Sequence, residues 1–325
     1  MSNLERNPAE LVCAEPDLRG ESATVIPFRE VPLGGPRAMT VRRTIPSRGR
    51  TFVGAWCFLD HYGPDDVSTS GGMQVPGHPH TGLATVSWLF SGEIEHRDTA
   101  GGHAFVRPSL LGLMIAGRGV AHSEFSTPTT TLLHGAQLWF ALPEGERNRA
   151  PSFEEYVPSA VVGPDGITMI VFLGELAGEA SPVRPPVELL GAELTIPAGR
   201  RATLPVAMGF EHGLLLDSGS VVVEGCEPQI GELVFVPPGR REIAVEAGPS
   251  GAARLLLLGG PPFGEEIVMW WNFVGRSHEE IVAFRRDWQE ERETPGVAGE
   301  RFGEFPWEDT LPAPELPNVR LKSRR

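Results

Sequence analysis

The chain has little of what marks several large classes of protein. Its 325 residues include only three cysteines, Cys13, Cys57 and Cys226, and no two of them are close in sequence. Neither a disulfide framework nor a zinc ribbon is therefore indicated. No apolar run reaches the length of a membrane span, and the region from Met1 to Pro16 lacks the apolar core of a secretion signal. We expect a soluble, cytoplasmic protein.

Basic residues are scarce relative to acidic ones. The sequence has 28 Lys and Arg residues against 42 Asp and Glu residues, which gives a formal net charge of −14. Such a charge repels phosphate backbones and anionic lipid, so we expect no direct binding to nucleic acid and no binding to a membrane. The chain also lacks a Gly-x-Ser-x-Gly elbow, and no nucleophilic triad is indicated.

Glycine and proline are abundant, with 39 and 31 residues. Together with short apolar runs they indicate many turns, which is typical of an all-β chain. We expect strands at residues 85–90, 111–116, 136–141 and 167–174, and further short strands between residues 214 and 258. The length favours two domains, because single cores rarely grow beyond about 250–300 residues.

One helix is predicted near the C-terminus. Ser277 and Glu280 have the spacing of a capping box. Ile281, Phe284 and Trp288 then fall on one helical face, which we expect to pack against a barrel.

A weak internal repeat relates the two halves of the chain. Aligning Gly92 with Gly219 and Gly117 with Gly239 places apolar residues of the second half opposite three histidines of the first: Pro205 and Ala207 opposite His78 and His80, and Ala244 opposite His122. The repeat predicts two copies of one barrel, the second without a metal site. We divide the chain into an N-terminal arm or strand (1–37), an N-terminal barrel domain (38–150), a connector (151–186) and a C-terminal domain with the helix and tail (187–325).

Four residues in two short motifs are candidate metal ligands. His78 and His80 are two residues apart, and so are His122 and Glu124. Residues at this spacing face the same side of a strand, so the two pairs can converge inside a barrel. Ligands of this kind leave two positions open on an octahedral ion and suit iron, manganese, cobalt, nickel or copper, with zinc also possible. The alternative is that they are barrel-lining polar residues that bond to one another.

The other histidines have weaker patterns. His96 and His103 follow the turn at Gly92 in a polar run, and we expect them to be solvated or bonded to backbone. The remaining four have no ligand-spaced partner: His61, His134, His212 and His278.

Several segments resemble motifs of the pirin family. They are residues 78–82 (HPHTG), 92–98 (GEIEHRD), 116–124 (AGRGVAHSE), 137–143 (QLWFALP) and 269–278 (MWWNFVGRSH). The resemblance implies a bicupin, that is, two antiparallel β-barrels of the double-stranded β-helix type with a short C-terminal helix. It also implies one divalent metal ion in the N-terminal barrel. We expect Fe²⁺, with Mn, Ni, Co, Cu or Zn as alternatives.

The family's metal ligands fall on His78, His80, His122 and Glu124. One departure is visible at residues 83–84, where many pirins carry Phe-Glu and this chain carries Leu-Ala. A carboxylate ligand must then come from Glu124 or not at all, and we expect the change to alter the wall of the pocket.

The resemblance implies two kinds of function. One is a quercetin 2,3-dioxygenase-type oxidoreductase, which opens a flavonol ring with O₂ and in which Glu124 would be the catalytic base. The other is a metal-dependent regulatory protein that partners a transcription factor or a metabolic enzyme. Trp88 and Phe90 are candidates for the wall of a substrate cavity, although core packing is the expected role of both.

Overall fold

The computed structural model describes residues 22–33, 39–163, 165–294, 299–304 and 309–324. Cys13 and most of the predicted N-terminal arm lie outside these residues. Antiparallel strands dominate, accompanied by two described helices, α1 (Val67–Ser70) and α2 (His278–Glu291). The predicted all-β class is therefore confirmed. Within the described ranges, no helix is long and apolar enough to cross a membrane.

The first half of the chain forms the N-terminal barrel. In chain order the strands of this half are β1 (Thr24–Ile26), β2 (Arg29–Leu33), β3 (Met39–Ile45), β4 (Trp56–Asp66), β5 (Gln74–His80), β6 (Leu83–Ser91), β7 (Ile94–Asp98), β8 (His103–Val106), β9 (Leu111–Ile115), β10 (Val120–Ser126), β11 (Leu132–Ala141) and β12 (Ser152–Tyr156), of which β2 to β12 form this barrel. A seven-stranded sheet has the order β12-β9-β6-β11-β4-β3-β2, and a four-stranded sheet has the order β5-β10-β7-β8. Side chains of both sheets meet in the barrel interior.

The second half repeats this plan. Its strands are β13 (Ala160–Val162), β14 (Thr168–Leu173), β15 (Glu175–Leu176), β16 (Glu179–Ala180), β17 (Leu190–Ile196), β18 (Arg201–Pro205), β19 (Glu211–Ser218), β20 (Val221–Val223), β21 (Leu233–Val236), β22 (Glu242–Ala247), β23 (Ala253–Gly260), β24 (Val268–Trp270) and β25 (Phe273–Gly275). The large sheet has the order β1-β21-β19-β23-β17-β14-β13, and β18-β22-β20 form the smaller one. Strand β1 thus joins the second barrel. The domain boundaries drawn from the sequence stay a prediction.

The two barrels pack together through a shared apolar layer. Trp88 and Leu138 enter it from the first barrel, and Phe172 and Leu256 enter it from the second. The indole of Trp88 stacks on the ring of Phe172 with centroids 4.5 Å apart. The expected core packing of Trp88 is therefore observed, and its side chain faces the second barrel.

Polar residues lie in the middle of the first barrel. On β4, Asp60 lies between Phe58 and Tyr62 on the inward face of the strand. On β11, Gln137 lies two residues before Trp139 and therefore faces inward as well. The apolar residues on either side belong to two separate clusters. The interior of the second barrel is mostly apolar, although the buried imidazole of His212 lies on the same face of β19 as Leu214 and Leu216. The first barrel differs in that several polar side chains converge inside it.

Helix α2 has the predicted start and the predicted buried face. Its N-cap Ser277 accepts a hydrogen bond from the backbone N–H of Glu280 at 3.2 Å. Ile281, Phe284 and Trp288 are buried, and they pack with aromatic residues of β24, β25 and the turn that joins them. The same cluster includes Ala121 of β10. The helix therefore covers the outer side of the strand that carries two candidate ligands, His122 and Glu124.

The alignment of the two halves by sequence disagrees with the strand register: His78 pairs with His122, but Pro205 pairs with Glu242 and Ala244 with Thr203. It placed Pro205 and Ala244 opposite histidines, but Pro205 is exposed and Ala244 is half-buried. The inward positions hold Leu204 and Ile243, which pair directly across β18 and β22, while Ala207 is exposed beyond the strand. A shift of one residue turns every side chain of a strand to the opposite face. The absence of metal from the second barrel stays a prediction.

Candidate metal centre

Strands β5 and β10 bring three histidines together inside the first barrel. The two strands are antiparallel neighbours, and their register pairs His78 with His122 and His80 with Val120. The ring centroids of His78 and His122 are 4.2 Å apart, and those of His80 and His122 are 5.0 Å apart. One ligand atom from each histidine lies within 4.8 Å of the other two. All three side chains are fully buried.

Each of these histidines uses its Nδ1 in a hydrogen bond. The distances are 2.8 Å to the carbonyl oxygen of Pro76 for His78, 3.1 Å to that of Asn272 for His80, and 3.3 Å to the Nδ1 of His96 for His122. The three buried Nε2 atoms have no hydrogen-bond partner among the described residues. Metal-binding histidines commonly donate their second ring N–H in this way. Three otherwise unpartnered nitrogens in one space fit a metal ion.

The electrostatics of the centre favour neutral imidazoles. Burial lowers the pKa of His78, His80 and His122 well below the ordinary value for histidine. For His78 and His122, neighbouring histidines add to this effect. All three rings are therefore neutral at pH 7, and a neutral ring has the lone pair that a metal requires.

Glu124 lies beside this trio and is also fully buried. A register shift between His122 and Glu124 interrupts the pairing of β10 with β5. Glu124 forms a second group with His96 and His122, whose ligand atoms lie within 4.8 Å of one another. Its Oε1 accepts a hydrogen bond from the Ser87 hydroxyl at 3.1 Å. The structure thus places the three histidines in one group and Glu124 in an overlapping one, and the assignment of all four as ligands stays a prediction.

The sequence led us to expect His96 to be solvated or bonded to backbone, but its side chain is 3% exposed and its ring nitrogens contact other side chains. Its ring stacks on Phe153 with centroids 4.4 Å apart, and its Nε2 lies 2.9 Å from Oδ2 of Asp98. The i, i+2 spacing of His96 and Asp98 on β7 is the signal that could have indicated this pair. His103 is the exposed one, with its Nε2 2.8 Å from Glu95 on the outer face of the same strand.

The C-terminal segment reaches the candidate metal centre through its backbone. Phe273 forms a parallel bridge with Thr81, and the carbonyl oxygen of the preceding residue, Asn272, orients His80. This approach requires a glycine at position 82, where φ is 66° and a Cβ would collide with the carbonyl oxygen of Val274. The residues of the 269–278 motif therefore support the first barrel, although they follow the second in sequence.

The Leu83-Ala84 departure places one residue on each face of β6. Ala84 belongs to the apolar layer between the barrels, while Leu83 packs with Val120 and Trp139 inside the first barrel. Successive residues of a strand face opposite sides. Only Leu83 can therefore alter the wall of the pocket, and the expected effect of the change stays a prediction.

A second group of ligand-type residues lies between the barrels. His61, His134 and Asp217 have ligand atoms within 4.8 Å of one another. Oδ1 of Asp217 is 2.8 Å from Nε2 of His61 and 2.7 Å from Nε2 of His134, while Arg254 lies 2.6 Å from its other oxygen. The Nδ1 of His61 accepts a hydrogen bond from Arg42 at 3.2 Å. With two guanidinium groups this close, the group fits an ion-pair network and not a cation site.

Two β-barrels of this plan in one chain, one with a three-histidine centre, define a bicupin. Residues 38–140 match the family model described as pirin, and residues 191–294 match the one described as pirin C-terminal cupin domain. The chain belongs to the pirin family.

Similar proteins are found among bacteria. A Pseudomonas aeruginosa protein named "Putative quercetin 2,3-dioxygenase" is 42% identical over 288 residues, which cover 89% of this chain and 87% of that one. A pirin-like protein of Caulobacter vibrioides is 31% identical over 77% of this chain and 88% of its own length. A crystal structure titled as a quercetin 2,3-dioxygenase from Acinetobacter baumannii is 34% identical, with a TM-score of 0.86, and the match covers 94% of this chain and 98% of that one.

Proposed function

We propose that this protein is a flavonol dioxygenase whose single divalent ion, Fe²⁺, is bound by His78, His80, His122 and Glu124. The reaction would open the flavonol ring with O₂, insert both oxygen atoms into the product ester and release carbon monoxide. The observation that carries the metal site is the convergence of three buried Nε2 atoms without hydrogen-bond partners in the described structure. The names of the similar Pseudomonas and Acinetobacter proteins support the choice of reaction.

The chain's own residues have distinct roles in this proposal. A divalent ion supplies Lewis acidity, which lowers the pKa of a hydroxyl bound to it. Glu124 accepts the proton of the flavonol 3-hydroxyl, because it is the carboxylate grouped with the histidines. The Ser87 hydroxyl lies 3.1 Å from Oε1 of Glu124 and 2.9 Å from Oε1 of Gln137, and it can donate its one proton to either oxygen.

Aromatic residues lie next to the histidines, and in this proposal they form part of the wall against which a flat substrate packs. The Trp139 ring lies 5.0 Å from that of His80 in an edge-to-face arrangement, and it stacks on Phe58 at 3.9 Å. Both side chains belong to the apolar cluster that also contains Leu83 and Val120. Such a wall excludes water and favours planar aromatic rings.

The test is turnover of quercetin by protein loaded anaerobically with Fe²⁺ and then exposed to O₂. We expect loss of the flavonol absorbance with release of one carbon monoxide per ring opened. A panel of flavonols and catechols without turnover, at full metal occupancy, would contradict the proposed reaction. The metal-dependent regulatory role would then be the remaining prediction from the sequence.

A further inference from the structure

A chain of hydrogen bonds leads from His122 away from the candidate metal centre. The Nδ1 atoms of His122 and His96 are 3.3 Å apart, and Nε2 of His96 is 2.9 Å from Oδ2 of Asp98. All three residues are buried, with exposures of 0%, 3% and 8% in that order. Each histidine contributes one donor and one acceptor when neutral, so the position of one proton fixes the next.

Only one arrangement of protons satisfies this chain when both rings are neutral. An ionised carboxylate only accepts hydrogen bonds, so Asp98 requires the proton of His96 to be on Nε2. The Nδ1 of His96 is then an acceptor, and His122 must donate from its own Nδ1. The Nε2 of His122 consequently keeps its lone pair. The opposite arrangement would leave two acceptors facing each other at Asp98 and would put a proton on the ligand nitrogen of His122.

The orientation of Asp98 is itself fixed. Its Oδ1 accepts hydrogen bonds from the backbone N–H groups of Ala100 and Gly102, both at 2.8 Å. Gly102 is required here, because a Cβ at that position would collide with Oδ2 of Asp98. The turn after β7 therefore leaves Oδ2 as the atom that faces His96.

We propose that His96 and Asp98 are positioning residues that select the metal-binding tautomer of His122. Asp98 acts through His96 and touches neither ion nor substrate. The proposal rests on the proposed metal site and is independent of which substrate that site takes. It applies to the metal-free protein, because the hydrogen bonds exist without an ion.

The sharpest test is Asp98→Asn, which preserves shape but adds a donor. The backbone N–H groups of Ala100 and Gly102 hold the side-chain oxygen, so the amide nitrogen must face His96. It donates to Nε2, which moves the proton of His96 to Nδ1 and the proton of His122 to Nε2. In metal-free protein with ¹⁵N-labelled histidine, we expect NMR to show His122 protonated at Nδ1 in the wild type and at Nε2 in the variant. The affinity for Co²⁺, measured by chelator competition, should fall about 10–100-fold.

Glu95→Gln is the matched control, because Glu95 and His103 form the same kind of pair at 2.8 Å on the outer face of β7. It should leave the His122 tautomer and the Co²⁺ affinity unchanged. An Asp98→Asn protein with His122 still protonated at Nδ1 and with wild-type Co²⁺ affinity would overturn the proposal.

A second pair of variants applies even if Asp98→Asn does not fold. His96→Phe keeps a ring that can stack on Phe153 but removes the acceptor, whereas the side-chain oxygen of His96→Gln can still accept from His122. We expect weaker Co²⁺ binding for His96→Phe and near wild-type binding for His96→Gln, at similar thermal stability of the metal-free proteins. Equal affinity of His96→Phe and wild type would refute the proposal. Loss of flavonol turnover alone would bear on the proposed reaction and not on the tautomer.

Discussion

At the scale of single residues, convergence distinguishes the candidate ligands: His78, His80 and His122 form one group of ligand atoms, whereas the unpartnered His212 belongs to no such group in the described structure. His78 and His80 present unpartnered Nε2 atoms, whereas both nitrogens of His61 and of His96 are engaged. The two-residue spacing predicted His78, His80 and His122 from the sequence. It could not show that His96 is buried, because a histidine on a polar strand becomes buried only when another segment, here the one carrying Phe153, covers it.

Removal of one ligand should abolish most metal binding. His80→Ala leaves two imidazoles and a carboxylate. We expect the affinity for the metal to fall by tens- to hundreds-fold, so that most of the bound metal is lost. His278→Ala is the control, because that histidine lies at the start of α2 and accepts a hydrogen bond from the backbone of Leu321. Equal metal content of wild type and His80→Ala in elemental analysis would contradict the assignment.

Glu124→Gln separates metal binding from catalysis. The amide keeps the size and one oxygen but cannot act as a base, while three nitrogens suffice to bind an ion in many sites. We expect weakened metal binding and a loss of flavonol turnover of about 10²–10⁴-fold. A metal-loaded variant with wild-type turnover would show that Glu124 is not the base.

At the scale of elements, the periodic and capped segments were predictable and the packing partners were not. The N-cap Ser277 and the apolar face of α2 were correct, as were the strands predicted at residues 85–90, 111–116, 136–141 and 167–174 and between 214 and 258. The carboxylate of Glu280 accepts from the backbone N–H of Arg276, so only half of the capping box forms. The strands β18 and β22 were misaligned with β5 and β10 by the sequence. An alignment anchored on glycine turns is accurate only to within a residue or two, and a shift of one residue turns every side chain of a strand to the opposite face. The contact of Asn272 with His80 joins residues far apart in the chain, and no local pattern indicates it.

The packing of α2 should contribute strongly to stability. Trp288 is fully buried and forms an edge-to-face pair with Phe302 at 5.4 Å. Trp288→Ala should lower the free energy of unfolding by about 3–5 kcal/mol, because it removes a large buried ring. Val282→Ala, at a position 40% exposed on the same helix, should change it by less than about 0.5 kcal/mol. Chemical denaturation measures both, and similar values for the two variants would contradict the packing described here.

At the scale of the whole molecule, the two barrels share one fold but have different interiors and meet at a buried layer. Its edge carries the ion-pair network of His61, His134, Asp217 and Arg254. The sequence predicted two barrels from length and repetition. It could not predict this network, because the two histidines come from one barrel and their partner from the other.

The network makes stability depend on pH. Burial lowers the pKa of His61, although its hydrogen bond to Asp217 opposes the shift. Below about pH 6.5 the unfolded chain therefore gains a proton that the folded protein does not, so stability is present above this pH and is lost as the pH falls. His61→Gln removes this proton, and we expect the slope of unfolding free energy between pH 6.5 and 5 to decrease by up to about 1.4 kcal/mol per pH unit. Identical slopes in denaturant titrations of the metal-free proteins would contradict this.

The most direct test of the central claim is anomalous diffraction from crystals loaded with Fe²⁺ under anaerobic conditions. We predict one iron peak per chain, inside the first barrel and within bonding distance of the Nε2 atoms of His78, His80 and His122. A peak in the second barrel or at the His61, His134 and Asp217 group, or no peak near the three Nε2 atoms, would contradict the account.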